Sequence, residues 1–200
     1  MSIKTDPLNL YNIREATEDD LPQILDIYNE RVLNSTALFL YDTIPLENRQ
    51  IWFRDCKAKG YPIIVAADKE TDVAIAYASL GQHRPHPCFV LTAEISIYIH
   101  VDHHRRGLGR LLLEELIAIA EKMQLRSLIA AITSENSPSI QLFNQYQFTL
   151  AGTFHDSGYK FGRFLDVTFL ERIIKAKAVE FEGAASFTSF PWGHYRYGIE

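Results

Sequence analysis

Behind Thr17 and Asp20, a pair spaced like a capping box, the residues Leu21, Ile24, Leu25, Ile27, Tyr28 and Val32 recur every three or four positions. That spacing predicts a first helix over about 18–33. Pro45 suits the first turn of a second helix, and Gly60 ends it. The period then changes. YPIIVAAD and VAIAYASL are short apolar runs around the turn KETD, which predicts two strands in a hairpin. GQHRPHPC carries two prolines and is a loop. LTAEISIYIH alternates and is rich in β-branched residues, as a central strand would be. Its two-residue period puts Thr92, Glu94 and Ser96 on one face and Ile95, Ile97 and Ile99 on the other. GRLLLEELIAIAEKMQ has an apolar stripe through Leu112, Leu116 and Ile119 and predicts an amphipathic helix. RSLIAAIT reads as a buried strand, SPSIQLFNQY as a short helix, and KFGRFLDVTFLERII as a last strand. The predicted order is helix, helix, three strands, helix, strand, helix, and one strand or two. This is an α/β or α+β layer arrangement on a mixed sheet.

Composition adds scale. The chain has 200 residues, 47% hydrophobic and 12% aromatic, which suits one domain with a real core. No repeat interrupts it, and the reading places one domain over 1–175. Residues 176–200 form an extension of small and aromatic residues. Phe187, Phe190, Trp192, Tyr195 and Tyr197 are unusual for a solvated tail, so the extension is expected to pack on its own domain or on a partner subunit. A net charge of −5 argues against nucleic acid or an anionic membrane as partner. The N-terminus has no apolar leader, and no run approaches the length of a bilayer span. Cys56 and Cys88 lie too far apart for a cysteine cage. A cytoplasmic protein is expected.

The densest chemistry lies in HVDHHRRGLGRLL, residues 100–112. His100, His103 and His104 could converge on a metal, and Asp102-His103-His104 spells the DHH phosphoesterase signature. Such a centre needs further aspartate motifs, and none stands upstream, so no metal is expected. The other reading is a phosphate loop, because the segment joins a strand to a helix through Gly107 and Gly109. Those glycines let the backbone approach an anion, the helix start offers free N–H groups, and Arg105 and Arg106 add charge at the rim.

This junction resembles the acyl-coenzyme-A loop of the GNAT superfamily of N-acetyltransferases, Gln/Arg-x-x-Gly-x-Gly/Ala between a central strand and a helix. His104 stands at the first position, where Gln or Arg is usual. Downstream, ENSPSIQLFNQYQF is similar to the family's Asn-x-x-Ala-x-x-x-Tyr-x-x-x-Gly-Phe helix. Asn136, Ser139 and Phe148 fit it, while Phe143 replaces the Tyr and Gln147 the Gly. The resemblance implies a mixed, mostly antiparallel central sheet flanked by helices, with acetyl-CoA as cosubstrate. It also implies that the backbone of Ile97, Tyr98 and Ile99 lines the pantetheine arm. The loop His104, Arg105, Arg106, Gly107, Leu108, Gly109 and Arg110 would hold the pyrophosphate, and Asn136 and Ser139 would also bind the cosubstrate.

A narrower resemblance, over about residues 13–172, is to the phosphinothricin and methionine-sulfone acetyltransferases, which acetylate the α-amino group of small amino acids and toxic analogues. That group is typically dimeric, so a homodimer is implied. By the same resemblance Arg84 in GQHRP grips the substrate's acid group, Phe39 forms an aromatic wall, and Thr92 and Glu94 match Thr-Val-Glu. Ile95 stands where relatives commonly have Asp or His. Glu94 is the candidate base, because the amine must lose a proton to attack the thioester. The alternatives are a protein N-terminal or polyamine acetyltransferase, or a weakly catalytic acetyl-CoA-binding regulator.

Overall fold

The computed structural model describes residues 7–174 and 183–198. Seven strands form one sheet: β1 Tyr11–Glu15, β2 Ile63–Asp68, β3 Ala74–Gln82, β4 Thr92–Ile99, β5 Ser127–Thr133, β6 Thr149–Lys160 and β7 Arg163–Ile173. Four α-helices flank it: α1 Leu21–Asn34, α2 Leu46–Ala58, α3 Leu108–Lys122 and α4 Ser137–Gln145. The strand order is β1-β2-β3-β4-β5-β7-β6. Every neighbouring pair is antiparallel except β4 with β5. The sheet is therefore mixed and mostly antiparallel, with β4 at its centre.

The helices separate onto two faces. The Tyr28 and Trp52 rings of α1 and α2 meet Tyr98 and Tyr77 edge-on. On the opposite face, α3 packs over Ile99, and its Leu112, Leu113 and Leu116 are completely buried. Three such leucines contribute roughly 1.5–3 kcal/mol each.

Two features differ from the sequence reading. The alternation predicts no strand before α1, yet Tyr11–Glu15 pairs with β2 and buries Tyr11 and Ile13. Two inward residues in a five-residue edge strand are too short a period to stand out. The run KFGRFLDVTFLERII holds the predicted last strand as β7, but the strand before it, β6 over Thr149–Lys160, is assigned to no segment of the sequence; Phe161 and Gly162 turn the chain between the two.

The first helical segment starts as the capping-box spacing predicts, with a short 3₁₀ turn, Glu18–Asp20, leading into α1. Asp20 accepts from the Thr17 N–H at 2.8 Å and from both terminal nitrogens of Arg14 at 2.7 and 2.8 Å. Burial works against the Asp20 carboxylate, but Arg14 and the Thr17 N–H outweigh it and hold its pKa below the ordinary range.

The boundary predicted at 175/176 and residues 176–182 lie outside the described residues. Residues 183–198 run along the domain. The Phe190 N–H donates to the Gly60 carbonyl, the Thr188 N–H to the Met123 carbonyl, and the Tyr195 hydroxyl to Glu115 at 2.7 Å. Phe190 and Tyr195 are buried, and Trp192 meets Phe53 edge-on.

The segment between α1 and α2, residues 35–45, has no regular structure but is tied down by a buried cation. Lys160 is 3% exposed, and its Nζ donates to the carbonyls of Val32, Ser35 and Leu38 at 2.6, 2.8 and 2.6 Å. Burial lowers the Lys160 pKa. Three carbonyl acceptors oppose that shift, because a neutral amine has only two N–H groups to offer. Lys160→Met should strand those carbonyls and cost about 3 kcal/mol. For a chain of this size that lowers Tm by roughly 6–12 °C. A melting curve superimposable on the wild type's would show that other contacts hold the segment.

Candidate active site

The site is built around an interruption of the sheet. β4 pairs with β3 along its whole length, from Ala76↔Ile99 to Gln82↔Ala93. With β5 it pairs only from Thr92↔Ser127 to Glu94↔Ile129. The His100 N–H donates to the Ile75 carbonyl, which fixes the phase of the antiparallel ladder. Residues 94, 96 and 98 of β4 exchange hydrogen bonds with β3, and the N–H and C=O groups of Ile97 and Ile99 point the other way. No strand meets them there, because β5 has already left. Glu94 lies at the point of divergence, and Ile99 is about 17 Å further along the strand.

The junction after β4 is a 3₁₀ turn, Val101–His103, followed by Arg105 and Gly107 with φ of 61° and 84°. α3 begins at Leu108, and its first intrahelical donor is the Leu111 N–H, bonded to the Gly107 carbonyl. The N–H groups of Leu108, Gly109 and Arg110 thus begin the helix without a hydrogen-bond partner among the described residues and carry the positive end of its dipole. Arg105 is exposed and makes no hydrogen bond or ion pair with any described residue. Arg106 is anchored, donating to the Tyr11 hydroxyl at 3.2 Å and the Asp102 carbonyl at 3.1 Å.

The three histidines go to three separate partners. His103 Nδ1 bonds the Tyr11 hydroxyl at 3.0 Å, His104 Nε2 meets the Ile99 carbonyl at 3.1 Å, and His100 Nδ1 accepts from the Asp102 N–H. Burial, then the charges of Arg106 and His100, lower the His103 pKa. Among the described residues no three His, Cys, Asp or Glu side chains are grouped to hold a metal.

The two glycines do different work. Gly107 sits in the left-handed region, and a Cβ there would lie 2.8 Å from Pro7 Cγ. Gly109 has ordinary helical geometry, and a Cβ would meet Leu142 Cδ2 at 3.2 Å and Ile99 Cδ1 at 3.5 Å. Its small size lets α3 lie close to β4 and α4.

The structure separates the remaining candidates. Glu94 is half exposed and is bonded by His83 Nδ1 at 2.9 Å. Thr92 shares its face. Arg84, next to His83 in the loop, is exposed and has no polar partner among the described residues. Tyr98 is turned away from the gap. Its ring stacks on Tyr77 at 5.2 Å, burial pushes its hydroxyl up to about 12, and its main chain is spent on β3. Phe39 is 44% exposed and lies so close over the Gly158 backbone that a Cβ there would fall 2.2 Å from its ring. Asn136 caps α4, its side-chain oxygen accepting from the Ser139 N–H at 3.3 Å. It also lines a cavity of about 420 Å³ with Arg31, Thr36 and Arg163, which contains neither Glu94 nor the glycine loop. Phe143 is buried edge-on against Phe148, a core position.

A parted parallel pair leading to a helix N-terminus is matched by a known family. Residues 13–169 fit the family model described as an acetyltransferase (GNAT) domain. The chain belongs to the GNAT acetyltransferases. The L-methionine sulfoximine/L-methionine sulfone acetyltransferase of Pseudomonas aeruginosa is 43% identical over 160 residues, 80% of this chain and 92% of that protein. The L-amino acid N-acyltransferase of Escherichia coli is 38% identical over 160 residues, with the same coverage. The crystal structure of a GNAT phosphinothricin acetyltransferase from Sinorhizobium meliloti in complex with AcCoA superimposes with a TM-score of 0.83. It is 30% identical, covering 88% of this chain and 95% of that one.

His83 is brought into the candidate site by its contact with Glu94, and sequence reasoning missed it. GQHRPHPC reads as a loop with one notable arginine, and nothing in the spacing announces that its histidine folds back onto Glu94. The contrast between the glycines is testable in this GNAT enzyme. Gly107→Ala should cost about 1–2 kcal/mol through its left-handed backbone, whereas Gly109→Ala should stay within about 1 kcal/mol of wild type because helix propensity offsets the crowding. Thermal melts of the two variants check this, and equal losses would contradict it.

Proposed function

We propose that this enzyme transfers the acetyl group of acetyl-CoA to the α-amino group of a small amino acid or a toxic analogue of the phosphinothricin or methionine sulfone type. The observation that carries the reading is the edge of β4 beyond Glu94 that β5 leaves unpaired, leading through the turn to the start of α3. An extended amide-bearing arm fits beside Ile97 and Ile99 as a substitute strand. Its phosphates then meet the free N–H groups of Leu108, Gly109 and Arg110, with Arg105 adding charge at the rim. The arm supplies the acetyl thioester near Glu94, which takes the proton that the attacking amine loses, directly or through water. Asn136 keeps its side-chain NH₂ for the arm, and Ser139 stands one turn further into α4. The His104 ring secures the end of β4 through the Ile99 carbonyl, so its replacement of Gln or Arg preserves the loop.

On the acceptor side, Arg84 provides a fork of donors for a carboxylate or phosphinate, and Thr92 and Phe39 bound the space for the amino acid. The names of the curated relatives support this acceptor class. The enzyme works in the cytoplasm, where acetyl-CoA is available, and no helix among the described residues is long and apolar enough to cross a membrane.

The acceptor reading predicts discrimination by the acid group. In a thiol-release screen of small amino acids, the free acid should be preferred over its methyl ester or amide. Arg84→Ala should raise KM by roughly thirtyfold, about 2 kcal/mol. Equal efficiency on acid and amide would remove Arg84 from the site.

The enzyme acts as a homodimer, with the β6–β7 hairpin as the joining surface. Leu150, Phe154 and Phe164 are 66%, 61% and 64% exposed on a hairpin whose outer strand, β6, is a sheet edge. Such apolar edges are normally covered. Light scattering should give twice the chain mass, and Phe154→Asp with Phe164→Asp should halve it. A wild-type monomer would contradict the proposal.

A further inference from the structure

Among the described residues, His83 is the one polar partner of the Glu94 carboxylate, 2.9 Å away through Nδ1. Its ring is 16% exposed and lies edge-on to Phe89 at 6.0 Å, so loop and strand fix its plane. Nδ1–H donates to Glu94, which leaves the lone pair on Nε2, an atom with no hydrogen-bond partner among the described residues. The surroundings add little competing charge. Along the sheet, Glu94 is level with Gly81 on β3 and Ile129 on β5, and the next carboxylate, Glu171 on β7, is two strands away, about 10 Å. From the loop, Arg84 follows His83 directly, His86 lies edge-on to Phe89, and Cys88 precedes Phe89.

We infer that His83 is a further catalytic residue, oriented by Glu94 so that its Nε2 receives the proton of the attacking amine. The inference rests on the amine-acetyltransferase reading above and deepens it, because it moves the proton's destination from Glu94 to the pair. The chemical argument concerns base strength. An imidazole is ordinarily a stronger base than a carboxylate by about two pKa units, closer to an aliphatic amine and to the operating pH. A carboxylate bonded to Nδ1–H fixes the tautomer and stabilises the imidazolium that forms. In the step, the amine lone pair forms the C–N bond at the thioester carbonyl carbon, and the C–S bond breaks with its electron pair on sulfur. The surplus amine proton goes to His83 Nε2. His83 then passes it to the thiolate, directly or through water, and returns to its neutral form.

Two variants separate a base from a strut. The side-chain NH₂ of His83→Asn can still donate to Glu94 but offers nothing that titrates. His83→Ala leaves room for free imidazole. With the best amino-acid acceptor and saturating acetyl-CoA, both variants should lose about 10²–10³-fold in kcat, with KM for each substrate within roughly threefold. The acidic limb of the wild-type kcat profile should be lost in His83→Asn, and added imidazole should restore His83→Ala at least about tenfold. An acetyl-CoA-dependent rise in Tm equal to the wild type's shows that the variants are folded. A wild-type rate and profile in His83→Asn would overturn the inference while leaving the acetyltransferase reading intact. A wild type that acetylates no amine would take both down.

Discussion

The parallel strands β4 and β5 share a ladder over three residues each and then part, while each keeps its antiparallel partner on the outer side. Main-chain groups buried without partners cost about 1–3 kcal/mol each, so a sheet does not open at its centre without something to occupy the opening. Water or an extended polar chain must satisfy the N–H and C=O of Ile97 and the N–H of Ile99, whose carbonyl already meets His104 Nε2 at 3.1 Å. The direction of the parting decides the rest. The strands separate toward their C-terminal ends, the end from which β4 leads into the α3 N-terminus. The open edge of β4 is therefore followed, after the turn Val101–His103, by the start of α3, in a chain whose net charge is negative. Any anion held here is met by local geometry rather than bulk charge.

Other elements keep the opening in shape. β5 stays paired with β7 as far as Thr133↔Val167, so it cannot collapse back onto β4. Thr133 donates to the Thr36 carbonyl at 3.3 Å, which brings the α1–α2 segment against the end of β5. Lys160 holds the start of that segment from beneath. On the far face, Gly109 allows α3 to approach Ile99 closely enough to aim its first N–H groups at the strand end. The polar residues at Glu94 sit on the opposite face from α3, so cosubstrate and acceptor can approach the same point from different sides.

Much of this is legible in the sequence. The strict alternation of TAEISIYI separates the Glu94 face from the Ile97 face, and the leucine stripe of α3 fixes which side of that helix is buried. Gly107-x-Gly109 marks the junction. What pattern could not supply was pairing. Tyr98 belongs to the same run as Ile97 and Ile99, and only the phase of the ladder with β3 shows that its main chain is already committed. Gly109 reads as an opening for phosphate, but its close neighbours are Leu142 and Ile99, so packing explains it as well. His83 is hidden for the same reason: its partner is 11 residues away across a proline-bearing loop, beyond any local period. The short β1 strand gives too few alternations to register.

The sheet leaves the N–H groups of Ile97 and Ile99 open, and the proposed function has acetyl-CoA take them. Amide hydrogen exchange followed by NMR, residue by residue along β4, tests it directly. In the free enzyme, Tyr98 and Ser96 should be strongly protected by β3, while Ile97 and Ile99 between them exchange much faster. Acetyl-CoA should slow Ile97 and Ile99 by at least about tenfold and change Tyr98 far less. Uniform protection along β4 in the free enzyme, or no response of Ile97 and Ile99 to acetyl-CoA, would contradict the account.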